Sequence, residues 1–133
     1  MDLNLKVHHI GCVVESIEES IKTYTEMLGF KSVSEVFNIS SQKVKVCFVE
    51  IGNQTFIEFV EPLSLDSAVG KLLKKRHTYY HTGYLVKDFD KTLENLCQKG
   101  AHLITSFKSE AFNNKKCAFI YTPELHMIEL IEE

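Results

Sequence analysis

The chain opens on a near-continuous apolar, β-branched run, LKVHHIGCVV (residues 5–14), the pattern of a strand covered on both faces. The period then lengthens to that of a helix. Ile17, Ile21, Tyr24 and Leu28 form one apolar stripe, Ser16 and Glu19 stand at capping-box spacing ahead of it, and Gly29 closes it. Three more strands are predicted at roughly 31–37, 43–51 and 54–61, with IGNQ as the turn between the last two. The joining segment EPLSLDSAVGKLLKKRHT (61–78) predicts a short helix around 65–75. The opening order then returns. A strand is predicted at 79–86, a helix at 89–99 with Phe89, Leu93 and Leu96 inward and Gly100 behind it, and strands near 102–108, 115–121 and 126–132.

This return is a sequence repeat. His9 falls on His81, Gly11 on Gly83, Val14 on Val86, Ile17 on Phe89 and Ile21 on Leu93, at a constant offset of 72. Beyond the helix the offset drops to 71, pairing Gly29 with Gly100, Lys45 with Lys116, Phe48 with Phe119 and Glu58 with Glu129. One order with a single-residue slip reads as a duplicated supersecondary unit. The expected fold class is α+β: two βαβββ modules forming a curved mixed sheet around a central cleft, with the helices outside. One domain spans 1–133, with module 1 at about 5–61, a linker at 62–78 and module 2 at about 79–133.

Side chains alternate along a strand. His9 therefore shares a face with Val7, Gly11 and Val13, and Glu58 with Phe56 and Val60. His81 goes with Tyr79, Gly83 and Leu85, and Glu129 with Met127 and Ile131. Each ionisable group sits in a mostly apolar row, and a buried carboxylate is costly unless something compensates it. If a pseudo-two-fold axis relates the modules, His9, Glu58, His81 and Glu129 meet in the cleft. Two imidazoles and two carboxylates suit a divalent first-row metal, commonly octahedral, with two positions left for water or substrate. His8 is the alternative to His9, but its repeat partner is Tyr80. His77, His102 and His126 lack histidine partners in the repeat and read as surface groups, while Glu61 and Glu132 read as solvent-facing.

Composition acts by exclusion. With 44% hydrophobic and 25% charged residues, the chain has the balance of a globular domain rather than of long disorder. A net charge of -3 argues against nucleic acid as the main partner. No run approaches bilayer-spanning length, and MDLNLKVHH lacks the apolar core of a signal peptide, so the expectation is a cytoplasmic protein with no membrane partner. Cys12, Cys47, Cys97 and Cys117 form no CxxC pair and lie in apolar segments, which reads as buried free thiols in a reducing compartment.

Paired βαβββ modules carrying HHIGCVV, YHTGYLV and MIELIEE resemble the vicinal oxygen chelate superfamily over essentially the whole chain. That superfamily includes glyoxalase I, methylmalonyl-CoA epimerase, extradiol dioxygenases and metal-free antibiotic-resistance proteins. The resemblance implies His9, Glu58, His81 and Glu129 as ligands of nickel, cobalt, manganese or zinc, and Glu129 and Glu58 as the catalytic carboxylates. It implies an enzyme that abstracts a proton next to a metal-chelated carbonyl oxygen of a small-molecule substrate.

Two branches compete. FVEPLSLDSAVGKLLKK (59–75) resembles the segment joining the modules of methylmalonyl-CoA epimerases, which implies an acyl-CoA substrate. Tyr80, however, stands where those enzymes usually carry a second histidine, and some of them have glutamine at the place of Glu58. Two ligand glutamates and the ending IELIEE resemble glyoxalase I, a lyase acting on the hemithioacetal adduct of a thiol. A non-catalytic small-molecule binding protein of the same fold is the third reading. Relatives commonly pair, and the open edges of two small sheets favour a homodimer. Glu50 is a second candidate for proton transfer. The run Lys71, Lys74, Lys75, Arg76 is either a coenzyme A phosphate contact or a solvated helix end.

Overall fold

The apolar runs that open the two halves of the sequence are strands β1 (Lys6–Val13) and β5 (Tyr79–Val86) in the computed structural model, which describes residues 3–133. After β1 come α1 (Ile17–Lys22), a π-helical turn at Thr23–Met27, β2 (Phe37–Ile39), β3 (Val44–Gly52), β4 (Thr55–Pro62) and α2 (Ala68–Lys74). After β5 come α3 (Phe89–Gln98), β6 (His102–Ser109), β7 (Lys115–Tyr121) and β8 (Met127–Glu132). The chain divides into two compact units, one of His9–Tyr80 and one of His81–Glu133 with the first residues through His8. Among the described residues no helix is long and apolar enough to cross a membrane.

Each βαβββ module builds the same mixed four-stranded order. In the first it is β2-β3-β4-β1, with β1 parallel to β4 and the other pairs antiparallel. In the second it is β5-β8-β7-β6, with β5 parallel to β8 and the rest antiparallel. The predicted α+β class and the duplicated unit are therefore what the chain forms.

Alternation divides each sheet's side chains between two faces. On the helix side of the first module, Ile17 packs with Cys47, Val49, Ile57 and Phe59, and Cys12, Ile21 and Tyr24 lie against them. The second module puts Phe89 with Val86, Ala118, Ile120 and Leu130, and Leu93 and Leu96 complete the contact. Fully burying each such aliphatic or aromatic side chain is worth about 1.5–3 kcal/mol. These two clusters hold the helices down and commit Glu58, between Ile57 and Phe59, to the opposite face.

Three local features differ from the expected pattern. The first helix does not stay α-helical to Gly29. Leu28 donates its N–H to the Thr23 carbonyl at 3.1 Å, five residues back, and the wider turn takes Leu28 off the stripe to 51% exposure. Phe30 packs in its place, its ring stacked on Tyr24 at 6.2 Å. The second feature is the strand expected at 31–37, which survives only as a bridge between Val33 and Val49 ahead of the short β2. The cause is Ser34, whose hydroxyl accepts the Phe48 N–H at 2.9 Å. A side chain there takes the bond that a continuing strand would give to a backbone carbonyl.

The third feature is Glu61, which is not solvent-facing. Its carboxylate accepts the Ile17 N–H at 2.8 Å at the start of α1 and pairs with Lys45 at 3.1 Å. Together with the Ser16 hydroxyl, which accepts from Glu19 N–H at 3.2 Å, it satisfies donors that a helix start leaves open. Glu132 likewise accepts the Lys116 N–H at 3.1 Å.

Helix α2 is seated by a close approach. Ser67 caps it by accepting the Gly70 N–H at 3.0 Å, and a Cβ at Gly70 would lie 2.3 Å from the Ser64 carbonyl oxygen and 2.6 Å from Leu65 Cα. Both are backbone atoms, so neither can rotate away. Gly70→Ala is expected to lower unfolding free energy by about 1–3 kcal/mol despite alanine's better helix propensity. Urea denaturation measures this, and an unchanged or raised midpoint would refute the close-packing account.

Candidate metal centre

Glu58 is placed by three strands at once. It lies opposite Gly11 on parallel β1 and opposite Phe48 on antiparallel β3. Gly11 presents no side chain beside the carboxylate, and His9, two residues earlier on the same face, comes to 3.3 Å from it through Nε2 and Oε1. The Phe48 ring stands edge-on to the His9 ring, with centroids 5.6 Å apart at 72°. The imidazole thus has a carboxylate along one direction and an aromatic wall along another.

The second module repeats this construction. Glu129 lies opposite Gly83 on β5 and Phe119 on β7. His81 Nε2 stands 3.2 Å from Glu129 Oε1, and the Phe119 ring is edge-on to His81 at 5.1 Å and 71°. Relative exposures are 0% for His9, 5% for Glu58, 1% for His81 and 4% for Glu129. Removing a carboxylate this far from water costs several kcal/mol, and a neighbouring imidazole offsets only part of that. Each pair offers an imidazole nitrogen and a carboxylate oxygen, donors of the kind that divalent first-row ions take.

The other sequence candidates go elsewhere. His8 is half-buried with its ring edge-on to Phe112 at 5.2 Å. His77, His102 and His126 are exposed, as expected for surface groups. Glu50 shares the face of Phe48 but closes the β3–β4 turn, its carboxylate accepting the Gln54 N–H at 2.9 Å. The four cysteines are free, with Cys47 and Cys117 buried and Cys12 and Cys97 half-buried. The roles of Phe48 and Phe119 were missed in the sequence, where they appeared only as a repeat pair. Two phenylalanines at the same repeat position, each facing a glutamate across an antiparallel pair, were the available signal.

Comparison with known proteins follows from this geometry. The family model described as the Glyoxalase/Bleomycin resistance protein/Dioxygenase superfamily matches residues 8–119. A comparison with curated protein sequences finds no match. Among solved structures, a hypothetical protein from Bacillus halodurans C-125 is 27% identical, with a TM-score of 0.86 over 98% of this chain and 95% of that one. Methylmalonyl-CoA epimerase from Mycobacterium tuberculosis is 25% identical, with a TM-score of 0.83 over 96% of this chain and 87% of its own. The Streptomyces coelicolor methylmalonyl-CoA epimerase in complex with 2-nitronate-propionyl-CoA is 21% identical, with a TM-score of 0.84 over 96% of each chain. The fold is shared with all three.

One thiol senses Glu58. Cys12 lies on the helix side of β1, and burial first and the Glu58 charge second push its thiol above the ordinary 9.0. Burial raises Cys47 as well, against hydrogen bonds from the Ser34 side chain and the Phe48 backbone that pull the other way. Both groups keep in the folded chain a proton that the unfolded chain releases near 9.0. Their contribution to stability is therefore complete below that pH and is lost as pH rises past it. Urea midpoints at neutral pH and at about pH 10 are expected to differ more in the wild type than in a Cys12→Ala, Cys47→Ala double variant. Equal alkaline losses in the two proteins would sink the assignment.

Proposed function

Because the chain belongs to the glyoxalase/bleomycin resistance protein/dioxygenase superfamily, we propose that its two histidine–glutamate pairs bind one divalent metal ion and that the protein is a metal-dependent enzyme of the methylmalonyl-CoA epimerase kind. It takes a proton from the carbon next to a chelated carbonyl oxygen. The observation that carries this reading is the repetition of one buried construction, His9 with Glu58 and His81 with Glu129, in the same strand register with the same glycine and phenylalanine neighbours. The likeness to methylmalonyl-CoA epimerases along nearly the whole chain supports the branch.

In this reading His9, Glu58, His81 and Glu129 hold the ion, nickel, cobalt, manganese and zinc all being compatible with these donors. A bound divalent cation supplies Lewis-acid stabilisation of the negative charge that develops on the substrate's carbonyl oxygen. Glu129 is the base. Its burial keeps bulk water from competing for the proton. Glu58, buried like Glu129, is the second carboxylate that handles the proton. Phe48 and Phe119 wall the two imidazoles and limit their rotation.

The presence of glutamate, rather than another residue type, at both repeat positions favours one second reading, a glyoxalase I-type lyase. There Glu58 and Glu129 would move a proton between adjacent carbons of a hemithioacetal. Methylmalonyl-CoA in deuterated water separates the two: the epimerase reading expects deuterium at the α-carbon, and the lyase reading expects loss of hemithioacetal from methylglyoxal and a thiol. Metal analysis is expected to find one divalent ion per chain, and chelation to abolish turnover. Failure to take up nickel, cobalt, manganese or zinc removes both enzyme readings and leaves a non-catalytic binding protein. Glu129→Gln is expected to keep the circular dichroism spectrum and to lose about 100-fold or more in rate, as for a lost general base. Undiminished exchange in that variant takes Glu129 out of the mechanism.

A further inference from the structure

Phe48 faces Glu58 across the β3–β4 pair and walls the His9 ring, so whatever holds its backbone also holds the first histidine–glutamate pair. In an antiparallel pair, facing residues exchange two bonds, each N–H going to the other's carbonyl. On its other side Phe48 makes only half of that exchange. Its carbonyl accepts the Ser34 N–H at 2.8 Å, but its own N–H goes to the Ser34 hydroxyl at 2.9 Å. The displaced Ser34 carbonyl accepts from the Cys47 thiol at 3.4 Å, and the Ser34 hydroxyl donates to the Glu35 carbonyl at 2.7 Å. One serine thus takes both backbone groups of Phe48, and its side chain is half of the hold.

The Phe48 ring passes this hold on. Phe37 and Phe56 stand edge-on to it at 6.5 and 6.2 Å, and the His9 ring at 5.6 Å. Phe48 is 6% exposed, and a ring packed this closely shifts when its backbone shifts. Removing the Ser34 hydroxyl takes the acceptor from a buried N–H, and such a donor draws the backbone towards another partner.

The second module is held differently. At the offset of 71, Ser34 falls on Thr105, a ladder residue of β6 paired directly with Phe119. Strand β6 runs on through that point, whereas β2 begins only at Phe37. The two histidine–glutamate pairs share one register, but the first leans on a hydroxyl where the second rests on strand pairing.

We propose that Ser34 is a positioning residue of the metal centre: through Phe48 it sets the orientation of the His9 ring, and so the affinity of the first pair for the divalent ion. This deepens the metal-dependent reading and rests on it. Cobalt titration of the metal-free full chain, followed by visible absorption, tests it without turnover. Ser34→Ala is expected to weaken cobalt binding about tenfold, as when the residues supporting a metal ligand are removed, and to shift the absorption of the bound ion. Ser34→Thr, which keeps the hydroxyl, restores both, and Thr105→Ala leaves both at wild-type values. Phe48→Leu keeps the backbone bonds and removes the ring. It should match Ser34→Ala, and the double variant should lose no more than either alone. Wild-type affinity in Ser34→Ala, a loss with no shift in absorption, an equal loss in Thr105→Ala, or additive losses in the double variant overturns the proposal. If Ser34→Ala does not fold, Phe48→Leu decides alone, and unchanged cobalt affinity there overturns it. Failure of the metal reading looks different, as a wild-type chain that takes up no cobalt, and it removes both.

Discussion

Everything in this structure is arranged around two carboxylates that have been taken out of water. Glu58 and Glu129 sit in strands whose neighbouring residues are buried hydrocarbon, and neither can leave that environment without dragging a core strand with it. Ile57 and Phe59 on one side of Glu58, and Ile128 and Leu130 on one side of Glu129, belong to the helix-packing layers. The hydrophobic cores thus enforce the position of the charges. The histidines, glycines and phenylalanines around them follow as local answers to that constraint. Glycine leaves space opposite each carboxylate, histidine supplies a polar neighbour at 3.2–3.3 Å, and phenylalanine shields the imidazole.

The two faces of each sheet therefore do different work. The helix side supplies stability through aliphatic burial, and its residues can differ between modules so long as they fill the space. Ile17 corresponds to Phe89, Cys47 to Ala118, Val49 to Ile120 and Phe59 to Leu130, while Ile57 and Ile128, and Val14 and Val86, are identical. On the other face the residues that build each histidine–glutamate pair are identical: histidine with histidine, glycine with glycine, phenylalanine with phenylalanine, glutamate with glutamate. Packing tolerates exchange of one apolar shape for another when volume is compensated nearby. Chemistry at a fixed position does not.

The strands, the repeat and the histidine–glutamate pairing were legible in the sequence because they rest on period and alternation, which survive in a linear reading. What was not legible depended on single hydrogen bonds. The Ser34 hydroxyl replaced a ladder bond and ended a strand early, and the Glu61 carboxylate turned inward to a helix start far away in sequence. Neither leaves a periodic trace. Leu28 was misplaced for a different reason: its stripe assumed 3.6 residues per turn through a segment that winds more widely. The aromatic shielding of the histidines lay between these cases, visible as a repeated residue type but not as a contact until the strands were paired.

The π-helical turn at Thr23–Met27 explains the slip in the repeat. Offsets of 72 before it and 71 beyond it mean that the first module carries one residue more than the second, and the wide turn is where the helix absorbs it. Its location matters for parity. One additional residue inside β3 or β4 would have inverted which face every later side chain of that strand presents, moving Glu58 into the helix-side hydrocarbon and a core residue into its place. A helix can accommodate an odd insertion by winding it into a bulge, and the strand that follows starts in phase. The module has drifted in length only where length does not change the facing of a carboxylate.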